Sequence, residues 1–258
     1  MELQKTVLSE DHVKLEAKMA AFAGFAMPIQ YTSIKNEVSS VREKVGIFDV
    51  SHMGEFLVTG PDAAKFVDFL ITNDFYEVEN NKAVYSPLCR EDGTVIDDLI
   101  AYKISNDEVL ICVNASNIKK DWDWISKEAQ KFNVVLTDKS QDYSLLAIQG
   151  PSAPELLIKL GVLKEEEAEQ SSFPYYSIKR VSLEGHQITV ARTGYTGEDG
   201  FEVFSPSPEM TKKLWSQAIE NGGTPCGLAA RDVLRLEVCY PLYGHELADH
   251  ITPLDASL

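Results

Sequence analysis

Arg192-Thr-Gly-Tyr195-Thr-Gly-Glu198-Asp199-Gly200-Phe201-Glu202 carries three glycines, three acids and a tyrosine between two segments that alternate apolar and polar residues. Residues 187–192 before it and 200–204 after it keep a period of two, so both read as strands joined by a glycine-rich loop. The loop is too rich in glycine to pack and too acidic for an idle hairpin tip. Glycine lets the backbone take positive φ there and come close to a ligand. Glu202 shares one strand face with Phe204, opposite Phe201 and Val203. Two readings stand: a solvated acid on an open sheet face, which the pattern slightly favours, or a half-buried carboxylate taking two parallel N–H groups from an amidine-like ligand edge.

Outward from this hairpin, strands at 144–149 and 175–182 and helices at 208–219 and 227–238 continue an antiparallel α+β pattern. The last helix has Val233, Leu234 and Leu236 on its apolar side, interleaved with Arg231, Asp232 and Arg235, and Pro241 marks its exit. Toward the N-terminus, Ser9 caps a short helix to about residue 18, and 19–31 read as two strands bent at Gly24 and Pro28. Residues 32–45 place Ile34, Val38, Val41 and Val45 at helical spacing, with Gly46 as the closing C′ residue. In between, residues 54–138 run strand, helix, three strands, helix, strand, the second helix capped by Ser116. That order is similar to a ferredoxin-like split βαβ unit. It predicts an inserted domain, 54–139, within a discontinuous antiparallel α+β domain made of 1–53 and 140–258.

The 258 residues, 44% hydrophobic and 25% charged, suit a soluble globular protein of one large or two ordinary domains. A net charge of −16 with no basic patch in the sequence argues against a nucleic-acid partner. No apolar run reaches membrane-spanning length, and the first residues lack the parts of a secretory signal, so no membrane association and a cytoplasmic location are expected. Cys89, Cys112, Cys226 and Cys239 stand far apart, and the first two, on strand-like runs, read as reduced buried thiols. The spacing of His245, Glu246 and His250 fits no zinc pattern, so no metal site is predicted. Dinucleotide, P-loop and nucleophile-elbow fingerprints are missing from the sequence.

Two further polar clusters interrupt apolar sequence. Asp97-Asp98 lies within Val95–Tyr102, where strand geometry sends the two carboxylates to opposite faces. Either the pair caps a turn or helix, which the pattern favours, or one carboxyl is buried, raised in pKa, and able to exchange protons near neutrality. Arg231 does not face its neighbour Asp232 across i,i+1, so it reaches an anion elsewhere or makes a surface ion pair.

Several motifs in order then give the chain a family. Residues 22–31 (Phe-Ala-Gly-Phe-Ala-Met-Pro-Ile-Gln-Tyr), 46–55 (Gly-Ile-Phe-Asp-Val-Ser-His-Met-Gly-Glu) and 93–100 (Gly-Thr-Val-Ile-Asp-Asp-Leu-Ile) carry the first part. Val113-Asn114-Ala115, the 192–202 loop and residues 227–237 carry the rest. The sequence resembles the T-protein of the glycine cleavage system, a tetrahydrofolate-dependent aminomethyltransferase. The resemblance implies a multidomain cloverleaf around a channel that holds folate as acceptor substrate, and a lipoyl-bearing H-protein as partner. It implies Asp98 as the acid near the reacting folate nitrogens, with Tyr85, Ile100 and Tyr102 lining that region. Glu202 would bind the amino-pyrimidine edge, with Tyr175 and Tyr195 beside it, Asn114 and Met53 near the pterin, and Arg231 at the ligand's other end or bracing the channel. The family's third, barrel-like domain lies beyond Leu258, so residues 1–258 alone are expected to bind folate weakly and turn over poorly. The readings kept beside it are the folate module of an amine-oxidising relative and a non-enzymatic folate-binding helper of iron–sulfur assembly. The latter's Lys-Gly-Cys-Tyr-like motif is replaced here by Arg-Thr-Gly-Tyr195.

Overall fold

The computed structural model describes residues 3–258, which divide between two compact units: Met1–His52 with Asp142–Tyr240, and Met53–Gln141 with Pro241–Leu258. The first unit opens with α1 (Ser9–Lys14), the hairpin β1 (Lys18–Phe22) and β2 (Phe25–Gln30), α2 (Ile34–Glu43) and β3 (Gly46–Asp49). Ser33 caps α2 by accepting from the Asn36 N–H at 3.2 Å, whereas α1 starts at Leu8 with no side-chain cap. The buried side of α2 holds Val41 and Glu37, while Ile34 is exposed. Glu37 accepts backbone N–H groups of Tyr31 (2.8 Å), Thr32 (3.0 Å) and Gly227 (2.9 Å), which satisfies a carboxylate that apolar periodicity cannot reveal. Gly46 does not close the helix. It begins β3, where a Cβ would lie 2.4 Å from the Val41 side chain, so glycine is what lets strand and helix close up.

The second unit comprises β4 (Gly54–Thr59), α3 (Ala63–Leu70), β5 (Lys82–Cys89), β6 (Val95–Ser105), β7 (Glu108–Val113), α4 (Ile118–Ala129) and β8 (Val135–Asp138). Its sheet is antiparallel throughout, in the order β5-β6-β7-β4-β8. Phe66, Val67 and Leu70 of α3 and Ile125 of α4 share one core with Leu99, Ala101, Ile111 and Val113. Each of the larger of these side chains, fully buried, contributes roughly 1.5–3 kcal/mol. Ser116 does not cap α4; it sits inside the 3-10 turn Ala115–Asn117 that precedes it. Residues 241–258, grouped by sequence with the other lobe, pack here instead. The Val95 N–H donates to the Ile251 carbonyl at 2.9 Å, and Arg90 reaches the Asp249 carboxylate at 2.5 Å.

The chain then re-enters the first unit through β9 (Ser144–Gln149), α5 (Ala153–Lys159), β10 (Ile178–Leu183), β11 (His186–Ala191), β12 (Gly200–Ser205), α6 (Pro208–Glu220), β13 (Thr224–Pro225) and α7 (Leu228–Glu237). The sheet order is β10-β11-β12-β9-β3-β13, with only the β13–β3 pair parallel. β9 and β12 are buried along their whole length, so both faces are covered. Ile47, Leu146, Ile148, Phe201 and Val203 meet Leu156 and Leu157 of α5 and Leu214 and Trp215 of α6. On α7 the predicted apolar side is buried at Leu234 and half-buried at Val233, but Leu236 is 49% exposed and the predicted polar Arg235 is buried instead. Arg235 keeps its guanidinium satisfied there by Asp232 (2.8 Å) and the Tyr240 carbonyl (3.1 Å).

Candidate functional site

In the first unit the 192–200 loop is held from both sides. Arg192 is buried; it donates to Asp199 through Nε at 2.8 Å and to the Ala168 and Phe173 carbonyls at 2.9 Å, with its guanidinium over the Phe201 ring. Arg42 of α2 donates to the Thr196 carbonyl (2.6 Å), Glu198 (2.9 Å) and Glu237 (2.7 Å). Glu198 and Asp199, two of the acids that made the loop conspicuous, therefore fix its shape. Gln149 of β9 completes the frame, donating to the Thr193 carbonyl at 3.0 Å and accepting from Thr196 Oγ1 at 2.8 Å. Of the three glycines only Gly197 has positive φ, +78°. Gly194 is glycine for another reason: a Cβ would fall 1.9 Å from the Gln149 side chain. The close approach predicted for a ligand is made, at that position, by the protein itself.

Glu202 lies in β12 between Ala191 of β11 and Ala147 of β9, and it is 7% exposed. The solvated-acid reading is thereby replaced: small alanines on either side leave the carboxylate sunk in the sheet. Thr193 Oγ1 donates to its Oε2 at 2.6 Å. Around it stand tyrosines. Tyr175 and Tyr176 meet edge to face at 4.7 Å, and Tyr175 hydrogen-bonds Tyr240. Burial raises the Tyr176 phenol to about 12, helped by Tyr240 and the Glu202 charge; burial likewise raises Tyr175. Tyr195 stacks on Tyr240 at 5.9 Å, and its other neighbour is the Arg231 guanidinium, 4.8 Å from the ring. Asp232 pairs with Arg235 at 2.8 Å. Glu202, Tyr175, Tyr195 and Arg231 thus belong to one assembly. Sequence reasoning missed Tyr176, Tyr240 and Thr193 in it, although the Tyr175-Tyr176 doublet and Tyr240 before Pro241 were visible signals.

In the second unit Asp98 lies on β6 opposite Pro87 of β5. The register puts Asp98, Ile100 and Tyr102 on one sheet face, with Tyr85 opposite Ile100 and Asn114 just past β7. Tyr85 Oη donates to Asp98 Oδ2 at 3.1 Å, and Asn114 Nδ2 to Asp98 Oδ1 at 2.9 Å. Burial first, and the Asp97 charge second, push the Asp98 carboxyl up to about 7 against these hydrogen bonds. Asp97 points to the opposite, helix-covered face. It accepts from the Asn114 N–H (3.1 Å), Asn114 Nδ2 (2.9 Å) and Asn117 Nδ2 (2.7 Å) at the start of α4. The cap-like reading thus describes Asp97, and the buried-carboxyl reading describes Asp98. Met53, half-buried, immediately precedes β4. Asn117 was missed, as was Asp121 of α4.

A concave surface of this unit is lined by Arg90, Lys119, Lys120 and Lys127 and holds none of the sequence-predicted residues. Asp123 and Asp249 pair with three of these four cations. Among the described residues no three His, Cys, Asp or Glu side chains gather as metal ligands, and no helix is long and apolar enough to cross a membrane.

This mixed helix-and-sheet chain has counterparts among known proteins. The profile of the GCVT N-terminal domain matches residues 8–258, and the chain belongs to that family. The aminomethyltransferase of Thermosipho melanesiensis is 47% identical over 256 residues, 99% of this chain and 69% of its own length. That of Thermotoga maritima is 47% identical over 259 residues, 99% of this chain and 70% of its own length. The glycine cleavage system aminomethyltransferase T of Bartonella henselae superposes with a TM-score of 0.88 at 31% identity, over 97% of this chain and 67% of its own. Heterotetrameric sarcosine oxidase from Corynebacterium sp. U-96 shares the fold, with a TM-score of 0.54 at 14% identity, over 90% of this chain and 96% of its own.

Proposed function

We propose that this chain transfers the methylene of an aminomethyl group, carried on the lipoyl arm of an H-protein, to tetrahydrofolate. The products are 5,10-methylenetetrahydrofolate, ammonia and the dihydrolipoyl carrier. The observation that carries this reading is Asp98: a buried carboxyl, oriented by Tyr85 and Asn114, with its pKa brought to about 7. Methylene transfer needs attack by folate N5 on an iminium-like carbon and a proton for the departing ammonia. A fixed carboxyl that can hold or lose a proton near neutrality serves both demands. Glu202 takes the amino-pyrimidine edge of the pterin through paired N–H groups, oriented by Thr193. Tyr175 and Tyr195 offer flat area with a polar tip beside the pterin, and Arg231, over the Tyr195 ring, meets the ligand's other end or braces the channel. Tyr85 and Ile100 line the reacting end with the wholly buried Tyr102 behind them, and Asn114 and Met53 lie near the pterin. We also read the second unit as an inserted ferredoxin-like domain; the order β8-β4-β7-β6, with a helix after β4 and another after β7, supports that label.

The test separates chemistry from binding. Asp98→Asn should lower single-turnover methylene transfer by about 10²–10⁴-fold while tetrahydrofolate affinity, measured by calorimetry, stays within a few-fold. Glu202→Gln should do the reverse, weakening binding by roughly 1–3 kcal/mol. Equal losses in both quantities for Asp98→Asn would make Asp98 a binding residue and remove the proposed role.

A further inference from the structure

Asp121 is the buried titratable group that the proposed reaction leaves unexplained. It lies in the first turn of α4 with its side chain wholly out of solvent. Neither of its oxygens meets an N–H or hydroxyl donor. Asn117, one helical turn before it at the start of α4, donates to the Asp97 carboxylate at 2.7 Å, which sets Asp97 against the same face of the helix, and each of the two carboxyls bears on the other's titration. The nearest cation, Lys120, is engaged elsewhere, at 2.7 Å from Tyr243 Oη and 3.5 Å from Asp249.

A buried carboxylate without donors is costly enough that it keeps its proton, and that proton needs an acceptor. Asp97 is well made to be one. Burial raises its carboxyl, but three donors from Asn114 and Asn117 converge on it and oppose that rise, so of the two carboxyls it is the better seat for the negative charge. We propose that Asp121 and Asp97 form a carboxylic acid–carboxylate pair sharing one proton, and that Asp121 is thereby a positioning residue fixing one negative charge behind Asp98. The inference rests on the catalytic reading of Asp98 for its purpose but not for its geometry.

The consequence is directional. With Asp121 donating, Asp97 stays ionised and the next proton goes to Asp98 as pH falls. Without that donor, Asp97 competes for the proton, and a protonated Asp97 no longer disfavours charge on Asp98. The other groups bearing on the cluster are Tyr85 on β5, Lys120 on α4 and Tyr243 from the C-terminal stretch. Burial, then the Asp97 charge, push the Asp121 carboxyl up to about 10, in line with the orphaned oxygens.

The experiment follows the aspartate carboxyl carbons of the 258-residue chain by NMR against pH, with single substitutions used for assignment. Asp121 should remain protonated at pH 7. Asp121→Asn retains a donor to Asp97 without a titrating proton, and the Asp98 midpoint should stay near neutral. Asp121→Leu removes the donor, and the midpoint should fall by about one pH unit or more. An ionised Asp121 at pH 7, or equal Asp98 midpoints in the Asn and Leu variants, would overturn the inference. The pH profile of methylene transfer is then compared with the same midpoints. Midpoints that move as expected while the rate profile stays put would support the proton pair and defeat only the catalytic reading of Asp98.

Discussion

His52 gives up its charge on folding. Burial, then the neighbouring Arg231 guanidinium, push its imidazole from 6.5 down to about 4, with Asp49 pulling the other way. Between those two values the unfolded chain holds a proton that the folded chain refuses, so stability falls as pH drops through that window. The full effect is on the order of 2–4 kcal/mol. His52→Gln, which cannot titrate, should flatten the fall of the thermal midpoint between about pH 6.5 and 4, and an unchanged slope would show that His52 titrates normally. Asp98 works in the opposite sense. Its carboxyl is raised from 3.8 to about 7, so the folded chain holds the extra proton in that interval and loses relative stability as pH rises through it. Asp98→Asn is therefore expected to raise the thermal midpoint at pH 8 by about 5–10 °C, on the order of 3–4 kcal/mol, and to leave it nearly unchanged at pH 4. A residue that costs stability where it is ionised is what a functional carboxyl looks like in a melting curve.

At the scale of elements, the β2–α2–α7 junction shows what one glycine and one acid accomplish. Gly227 caps α7 and donates its N–H to Glu37; a Cβ there would lie 2.2 Å from the backbone carbonyl of Ile29. Backbone atoms cannot swing aside as a flexible side-chain tip can. Gly227→Ala should cost about 2–4 kcal/mol in urea unfolding, and Glu37→Ala a similar amount because three backbone N–H groups lose their acceptor. A loss under half a kilocalorie for Gly227→Ala would mean that β2 yields easily. This junction also marks where the sequence stopped being readable. β11 and β12 were legible because residue type alternates along them, although β12 is in fact buried on both faces, and the α6 face with Met210 and Leu214 was legible because its burial repeats with the helix's own period. Glu37, Arg235 and Gly46 were not: Glu37 and Gly46 depend on Gly227 and Cys226 far along the chain, and Arg235 on the way the chain turns back after α7 to bring the Tyr240 carbonyl to it. Much the same holds at the site. Asp98 and Glu202 stood out as acids inside apolar strands, whereas Tyr240 and Asp121 matter only through neighbours that periodicity does not name. β3 and β13, at four and two residues, are too short to show a period at all.

The molecule as a whole carries a net charge of −16, and tetrahydrofolate brings its own carboxylates. At low ionic strength the summed field repels such a ligand, since the Debye length at 10 mM salt, about 30 Å, exceeds the depth of any local cationic site. Arg231 is the exception within the proposed ligand contacts, a guanidinium held over Tyr195 where an anionic end can meet it. Global repulsion is screened by salt well before a contact pair is, so the association rate constant should rise by about 2–5-fold between 10 and 150 mM NaCl rather than fall. Arg231→Gln removes the one local attraction and should make that rise steeper while lowering the rate at every salt concentration. Stopped-flow quenching of intrinsic fluorescence on mixing with tetrahydrofolate measures both. A rate that declines with salt would mean that a local positive field outweighs the net charge, and Arg231→Gln would then flatten the decline if that field is its own.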